Sequence, residues 1–210
     1  MAVADQQITE RHAIYCGDCM EVMAALPGAS VHLSIYSPPF GGLYHYSSSA
    51  RDLSNCTSYG QCFEHYGFLA SELLRVTKSG RHAAVHCSDL PSRKGRDGFI
   101  GCKRFSDRLA DAHEKAGWIF DCRITVWKDP VVEMQRTKAL GLLHKQLKKD
   151  SCRSRVGFPD YVLMFSKPGD NAVPVGHRPE DFPVERWQQW ASPVWMDIDQ
   201  TDVLNGRAAR

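Results

Sequence analysis

The sequence predicts an α/β protein with a mixed, mostly parallel sheet and helices on its faces. Three observations carry that expectation. Short β-branched and aromatic runs at 13–16, 31–36, 81–87, 118–127 and 161–166 are separated by helical periods at 19–26, 59–76 and 103–116. The order strand, helix, strand favours parallel neighbours, because a parallel pair needs a crossover connection. The strand at 31–36 also ends abruptly in Ser37-Pro38-Pro39-Phe40-Gly41-Gly42, and in open α/β sheets ligands bind outside the carboxyl ends of strands.

The elements follow in order. Residues 13–16 form a short strand stopped at Gly17-Asp18, and Asp18 is placed to cap a helix over 19–26 with Met20, Met23, Ala24 and Leu26 on its apolar side. Pro27-Gly28 ends that helix, and 31–36 reads as a buried strand. Proline fixes φ and lacks an N–H, so Ser37-Pro38-Pro39 continues neither a strand nor a helix. The result is a stiff loop offering one hydroxyl, backbone carbonyls and the ring of Phe40, a set suited to a planar ligand bearing an amino group. Taken alone, the same tetrapeptide also makes an ordinary surface turn. Residues 43–55 show no period and read as a long mobile loop of the kind that serves as a lid, with Tyr44 and Tyr46 offering stacking faces.

An amphipathic helix spans 59–76, with Cys62, Phe63, Tyr66, Leu69, Leu73 and Val76 inward, closed by Lys78-Ser79-Gly80. After the strand at 81–87, a glycine-rich loop over 91–101 leads to a helix at 103–116 with Phe105, Leu109, Ala112 and Ala116 inward. Gly117 stops it, and 118–127 reads as the longest strand. A helix at 137–147, a loop at Arg153-Ser154-Arg155 and a buried strand at 161–166 follow, closed by Lys167-Pro168-Gly169. From 170 onward the chain reads as an irregular extension. Its Trp187, Trp190 and Trp195 are too apolar to leave in water, so they are expected to be covered.

Hydrophobic content of 43% and charged content of 24% over 210 residues fit an ordinary globular domain with a tail. No apolar run approaches the ~20 residues of a membrane span, and the N-terminal stretch lacks the pattern of a secretory signal, so a cytoplasmic location is expected. Of the eight cysteines, Cys16 and Cys19 have a metal-like C-x-x-C spacing. A second pair is lacking, because Cys56 and Cys62 are too widely spaced, and His82, His86 and Cys87 form only a loose group. Reduced cysteines and no metal are expected, with a zinc-dependent nuclease as the distant alternative.

The formal net charge of +2 hides an asymmetry. Residues 128–155 hold eight Lys/Arg against Asp129, Glu133 and Asp150, a net of +5 that leaves −3 for the rest. A basic segment on an acidic body is the footprint of a polyanion binder, and a solvated helix face is the plainer reading.

The run G-D-C-M-E-V-M at 17–23, L-P-G-A-S-V at 26–31 and the strand into S-P-P-F resemble the amino-methyltransferases of DNA. So do E-L-L-R-V-T-K-S-G-R at 72–81, the strand end at Trp127-Lys128, and F-P-D-Y-V-L-M-F-S-K-P-G at 158–169. The resemblance covers 13–169 and implies a Rossmann-like but incomplete methyltransferase fold. Residues 11–169 would form its catalytic, DNA-facing part, 128–160 a basic DNA-contacting segment, and 170–210 an extension or linker. S-adenosylmethionine is the implied cofactor, contacted by Asp18, Cys19 and Ser37. Ser37, Pro38, Pro39 and Phe40 are the implied catalytic residues. The Ser37 hydroxyl and Pro38 carbonyl would accept the protons of an exocyclic amine and free its lone pair, while Phe40 stacks on a flipped base. Serine in the first position leans to cytosine N4, and Asp or Asn to adenine N6.

Double-stranded DNA is the implied partner, in a restriction–modification setting. Lys128, Arg136, Lys138, Lys145, Arg153 and Arg155 are the candidate phosphate contacts, serving affinity rather than the chemical step. Members of the family that begin with this half carry a cofactor loop, F-x-G-x-G, near the C-terminus, and no such motif occurs here. The expectation is therefore a truncated product, or a homodimer or second chain supplying that half. A non-catalytic DNA-binding remnant is the alternative.

Overall fold

A five-stranded sheet in the order β3-β4-β8-β7-β9 underlies the computed structural model, which describes residues 3–41, 44–92, 94–137, 139–149, 152 and 154–199, the Arg136 side chain excepted. In chain order the elements are β1 (Val3–Ile8), β2 (Ala13–Gly17), α1 (Cys19–Ala24), β3 (Val31–Tyr36), α2 (Tyr59–Val76), β4 (Thr77–Ser88) and β5 (Leu90–Ser92). Then come α3 (Lys94–Asp97), β6 (Gly101–Lys103), α4 (Phe105–Ala116), β7 (Ile119–Val126), α5 (Pro130–Thr137) and α6 (His144–Lys149). β8 (Asp160–Ser166), α7 (Val184–Trp190) and β9 (Val194–Trp195) complete the set.

The sheet is mixed, as the sequence predicts. β3 is parallel to β4, with Tyr36 opposite Val85, and β7 is parallel to β9. Gly80 N donates to Lys167 O (3.0 Å) and Lys167 N to Arg81 O (2.9 Å), so the end of β8 lies beside the start of β4 and the two run antiparallel. Two antiparallel hairpins, β1–β2 and β5–β6, stand apart from this sheet.

Several boundaries differ from those the sequence suggests. α2 ends where Thr77 turns extended and its hydroxyl donates to Leu73 O (2.7 Å), so Lys78-Ser79-Gly80 opens β4 rather than closing the helix. That makes β4, at 12 residues, longer than β7. Gly80 has φ +65, and a Cβ there would meet Asn171 N at 2.6 Å, which is why glycine serves inside this strand. Trp118 leaves β7 because it is buried and its indole N–H donates to Ala70 O (3.0 Å).

β3 is not a buried strand: Leu33 and Ile35 are 50% and 74% exposed, because β3 is an edge with one sheet neighbour. The single helix expected at 137–147 is replaced by α5, a 3₁₀ turn at Leu140–Leu142, and α6. Asp129 starts α5, its carboxylate accepting from Val131 N (2.7 Å), with Pro130 at the first helical position. The C-terminal extension is partly ordered as α7 and β9. Its tryptophans are not all covered: Trp187 and Trp190 are 54% and 58% exposed, while Trp195 gains shelter from pairing beside Val126.

The chain divides into two compact units, Met1–Val85 with Asp107–Cys122 and Leu163–Gly176, and His86–Ser106 with Arg123–Val162 and His177–Arg210. In the first, Cys62, Tyr66, Ala70, Leu73 and Val76 form the buried stripe of α2, spaced as a helix facing a core requires. Arg75 lies off that stripe and caps α1, donating to Met23 O (2.9 Å) and Leu26 O (3.1 Å). The second unit buries Cys87, Leu90 and Phe105.

The buried face of α4 holds a histidine where the sequence reading places only apolar residues. His113 is 0% exposed and stacks on Phe165 with centroids 4.0 Å apart at 10°. Burial lowers its pKa to about 4. The folded state therefore holds His113 neutral while the unfolded chain protonates near 6.5. Stability contributed by this group is complete above pH 6.5 and lost as pH falls toward about 4, by about 3 kcal/mol in all. Urea titrations across that window should show the loss, and His113→Phe should flatten it.

Candidate functional site

The predicted catalytic and cofactor residues, Asp18, Cys19 and Ser37–Phe40, all lie in the first unit. Their arrangement begins with β3. Tyr36 turns toward the core, where its hydroxyl lies 2.6 Å from Tyr66 Oη and 3.1 Å from His113 Nε2. His113 Nδ1 lies 3.0 Å from Leu109 O, an acceptor, so Nδ1 carries the proton. Nε2 must then accept from the Tyr36 hydroxyl, leaving Tyr66 to donate to Tyr36. Side chains alternate along a strand, so burying Tyr36 turns Ser37 outward. Ser37 is exposed, Pro38 is buried, and Pro39 and Phe40 are half-buried. Gly41 N donates to Pro39 O (2.9 Å) with Gly41 at φ 43, which folds the loop back on itself. A buried proline ring behind an exposed hydroxyl is a fixed platform.

Asp18 does two things. Its Oδ1 accepts from Met20 N (2.8 Å), the expected helix cap, and its Oδ2 accepts from Arg51 Nε (2.6 Å). Arg51 also reaches Glu21 at 3.6 Å. The Cys19 thiol is pushed up by burial and by the Asp18 charge, so it stays protonated at neutral pH. Arg51 belongs to the stretch expected to be a mobile lid, which is instead tied by its own polar groups. Asn55 Nδ2 donates to Ser47 O and Ser49 O (both 2.8 Å), Ser47 Oγ donates to Asp52 (2.9 Å), and Ser54 is 1% exposed. Tyr44 and Tyr46 stay exposed on it, centroids 6.4 Å apart.

The predicted DNA contacts belong to the second unit, where two of the cations are engaged within the protein. Lys128 is not a surface cation: it is 9% exposed, with Nζ 2.6 Å from Asp160 Oδ1. Asp160 Oδ2 lies 3.3 Å from His86 Nε2. Burial would raise the Asp160 pKa, but hydrogen bonds from His86 and Lys128 outweigh it and hold the carboxyl below its ordinary value. Arg155 is half-buried over the Phe158 ring (4.1 Å), and burial pushes its pKa down. Lys128 is held by an acid 32 residues away, and Arg155 by a ring three residues along the chain.

Lys145 is exposed on α6 beside exposed Lys148 and Lys149. Lys138 and Arg153 lie outside the described residues, as does the side chain of Arg136. Sequence reasoning missed Asp160 as the shared partner of Lys128 and His86, although Trp127-Lys128 and F-P-D-Y each stand out in the sequence.

His82 pairs with Asp121 (3.4 Å) and not with the cysteines, and burial beside Cys56 pushes Cys62 up to about 12. Among the described residues, no three His, Cys, Asp or Glu side chains gather to hold a metal ion. A groove of 530 Å³ between α2 and α4, lined by Gly60, Phe63, Gly67, Phe68 and Ala112, contains none of the predicted site residues. No described helix is long and apolar enough to cross a membrane.

The sequence matches no protein-family model and no curated protein. Solved structures are similar in fold. A Thermus thermophilus protein assigned as a DNA modification methylase, complexed with S-adenosyl-L-methionine, superposes with TM-score 0.62 at 22% identity, covering 87% of this chain and 65% of that one. The PvuII DNA methyltransferase, specific for cytosine N4, gives 0.56 at 13% identity over 91% of this chain and 59% of its own. This chain thus spans less than two thirds of the length of either, and at these identities the likeness is one of fold.

Removing the Asp160 charge should leave Lys128 buried without a counter-ion. Asp160→Asn is expected to cost about 3 kcal/mol in urea unfolding. Lys128→Met added to it should recover part of that loss.

Proposed function

We propose that this chain carries the amine-activating half of an S-adenosylmethionine-dependent DNA methyltransferase, with cytosine N4 the target ahead of adenine N6. The observation that carries the reading is the exposed Ser37, set beside the buried Pro38 at the carboxyl end of β3, next to a half-buried Tyr36 that is held on the opposite side of the strand. The fold shared with two DNA-methylase structures, one in complex with this cofactor and one acting on cytosine N4, supports it.

The residues present fit part of the cofactor. Asp18 accepts two hydrogen bonds in the structure, and a carboxylate has about four lone-pair sites, leaving capacity for ribose hydroxyls or an adenine amine. When bound, the sulfonium supplies an electrophilic methyl group. The protein's part is to hold the amine. Ser37 Oγ and the Pro38 carbonyl accept its two N–H groups, and Phe40 packs on the ring plane. Held in this way, the amine would present its lone pair to the methyl group that the cofactor supplies, and the proton it sheds would leave to solvent from the exposed Ser37 side of the loop. No covalent bond to the protein is needed.

The remaining cofactor contacts would come from a segment bearing the F-x-G-x-G loop, which these 210 residues do not contain. The exposed Leu33 and Ile35 of the edge strand β3 suit such a contact. The exposed Lys145, Lys148 and Lys149 suit the DNA backbone.

Ser37→Ala should lower methyl transfer to duplex DNA by about 100-fold or more, measured with radiolabelled cofactor, while DNA affinity and the urea midpoint stay unchanged. A matching fall in stability would make Ser37 a structural cap instead. Calorimetry with S-adenosylmethionine, with and without duplex, tests the cofactor directly, and DNA binding without any cofactor binding would favour a non-catalytic DNA-binding chain.

A further inference from the structure

The β5–β6 hairpin has a tip that the reading above does not use. Its base is clamped: Asp89 Oδ1 accepts from Ser106 N (3.0 Å) and Ser106 Oγ (2.8 Å), and Leu90 is 2% exposed. Its middle is braced by Asp97, whose side chain is 8% exposed and pairs with Lys103 and with Arg96 (3.3 Å). Gly98 turns the chain with φ +79 and donates its N–H to Lys94 O (3.0 Å), and a Cβ on Gly101 would sit 3.3 Å from the Phe99 ring.

Beyond this brace, two adjacent apolar side chains face water, Phe99 at 56% and Ile100 at 59% exposure. Lys94, Arg96 and Arg104 flank them, all exposed, against Asp97 as the one acid over 94–104. A braced hairpin that exposes a ring and a branched aliphatic between cations has the chemistry of a wedge for a charged, stacked polymer. The cations meet phosphates and the apolar pair enters at a base step. Two side chains are a small apolar area for holding a lipid surface, which usually takes a whole helix face.

We propose that Phe99 and Ile100, framed by Lys94, Arg96 and Arg104, form a wedge that enters duplex DNA at a weakened base step. The inference rests on the DNA reading above and adds to it a contact with the base stack itself, besides the contacts with phosphates.

The test uses the 210-residue chain and two 30-base-pair duplexes, one fully paired and one with a single central mismatch, followed by fluorescence anisotropy across a salt series. The wild type should bind the mismatched duplex about 5-fold tighter or more, because an unpaired base costs less to unstack. Phe99→Ala with Ile100→Ala should abolish that preference and keep the salt slope. Arg96→Gln with Arg104→Gln should lower the slope by about 2 and keep the preference.

Equal binding of both duplexes by wild type and the Phe99/Ile100 variant overturns the wedge and leaves the DNA reading standing. No duplex binding by the wild type overturns both. Loss of binding to phosphatidylserine–phosphatidylcholine vesicles in the Phe99/Ile100 variant, with duplex binding unchanged, overturns the wedge in favour of a lipid contact. The substituted side chains are exposed, and an unchanged urea midpoint separates these outcomes from misfolding.

Discussion

A part-buried hydrogen-bond chain one residue upstream of the candidate amine-activating loop decides where that loop points. Tyr66, Tyr36, His113 and the Leu109 carbonyl form it, linking α2, β3 and α4. With His113 Nδ1 committed to a carbonyl, its Nε2 is an acceptor, and the Tyr36 hydroxyl has one direction to donate. Because strand side chains alternate, locking Tyr36 inward sets Ser37 outward. A buried neutral imidazole is costly to charge, so the chain is stiff over the physiological range.

The cations show how little a charge count along the chain says about contact. The segment 128–155 reads as one basic surface, yet Lys128 closes an ion pair on Asp160, and Arg155 covers Phe158. Elsewhere Arg75 caps a helix and Arg51 ties a loop to Asp18. All four are engaged within the protein, but only Lys128, 9% exposed, needs its acid to offset desolvation. Among the described residues of the second unit, exposed cations remain on α6 and around the β5–β6 tip.

The same separation governs what was legible in the fold. Periodicity alone located α2 to its last residue and β3 to both ends, because each has an unbroken pattern and a capping or proline signal beside it. It failed on 137–147, where α5 ends at Thr137 and the rest holds a 3₁₀ turn at Leu140–Leu142 and the start of α6 in place of one helix. It also failed on 43–55, where polarity read as mobility. There Ser, Asn and Asp side chains satisfy the backbone locally, so polar composition marks a tied loop.

The stiff S-P-P-F turn, the capping aspartate and the strand–helix–strand grammar were determined by the sequence by itself, because each depends on residues within a few positions of one another. Only the tertiary structure decided that Tyr36 faces His113, that Lys128 meets Asp160, and that Phe99 and Ile100 stand in water. Those outcomes depend on which groups distant in sequence share one low-dielectric space. Local propensity carries no information about that, so Ser37 could be named from the sequence, while the chain of groups that aims it could not.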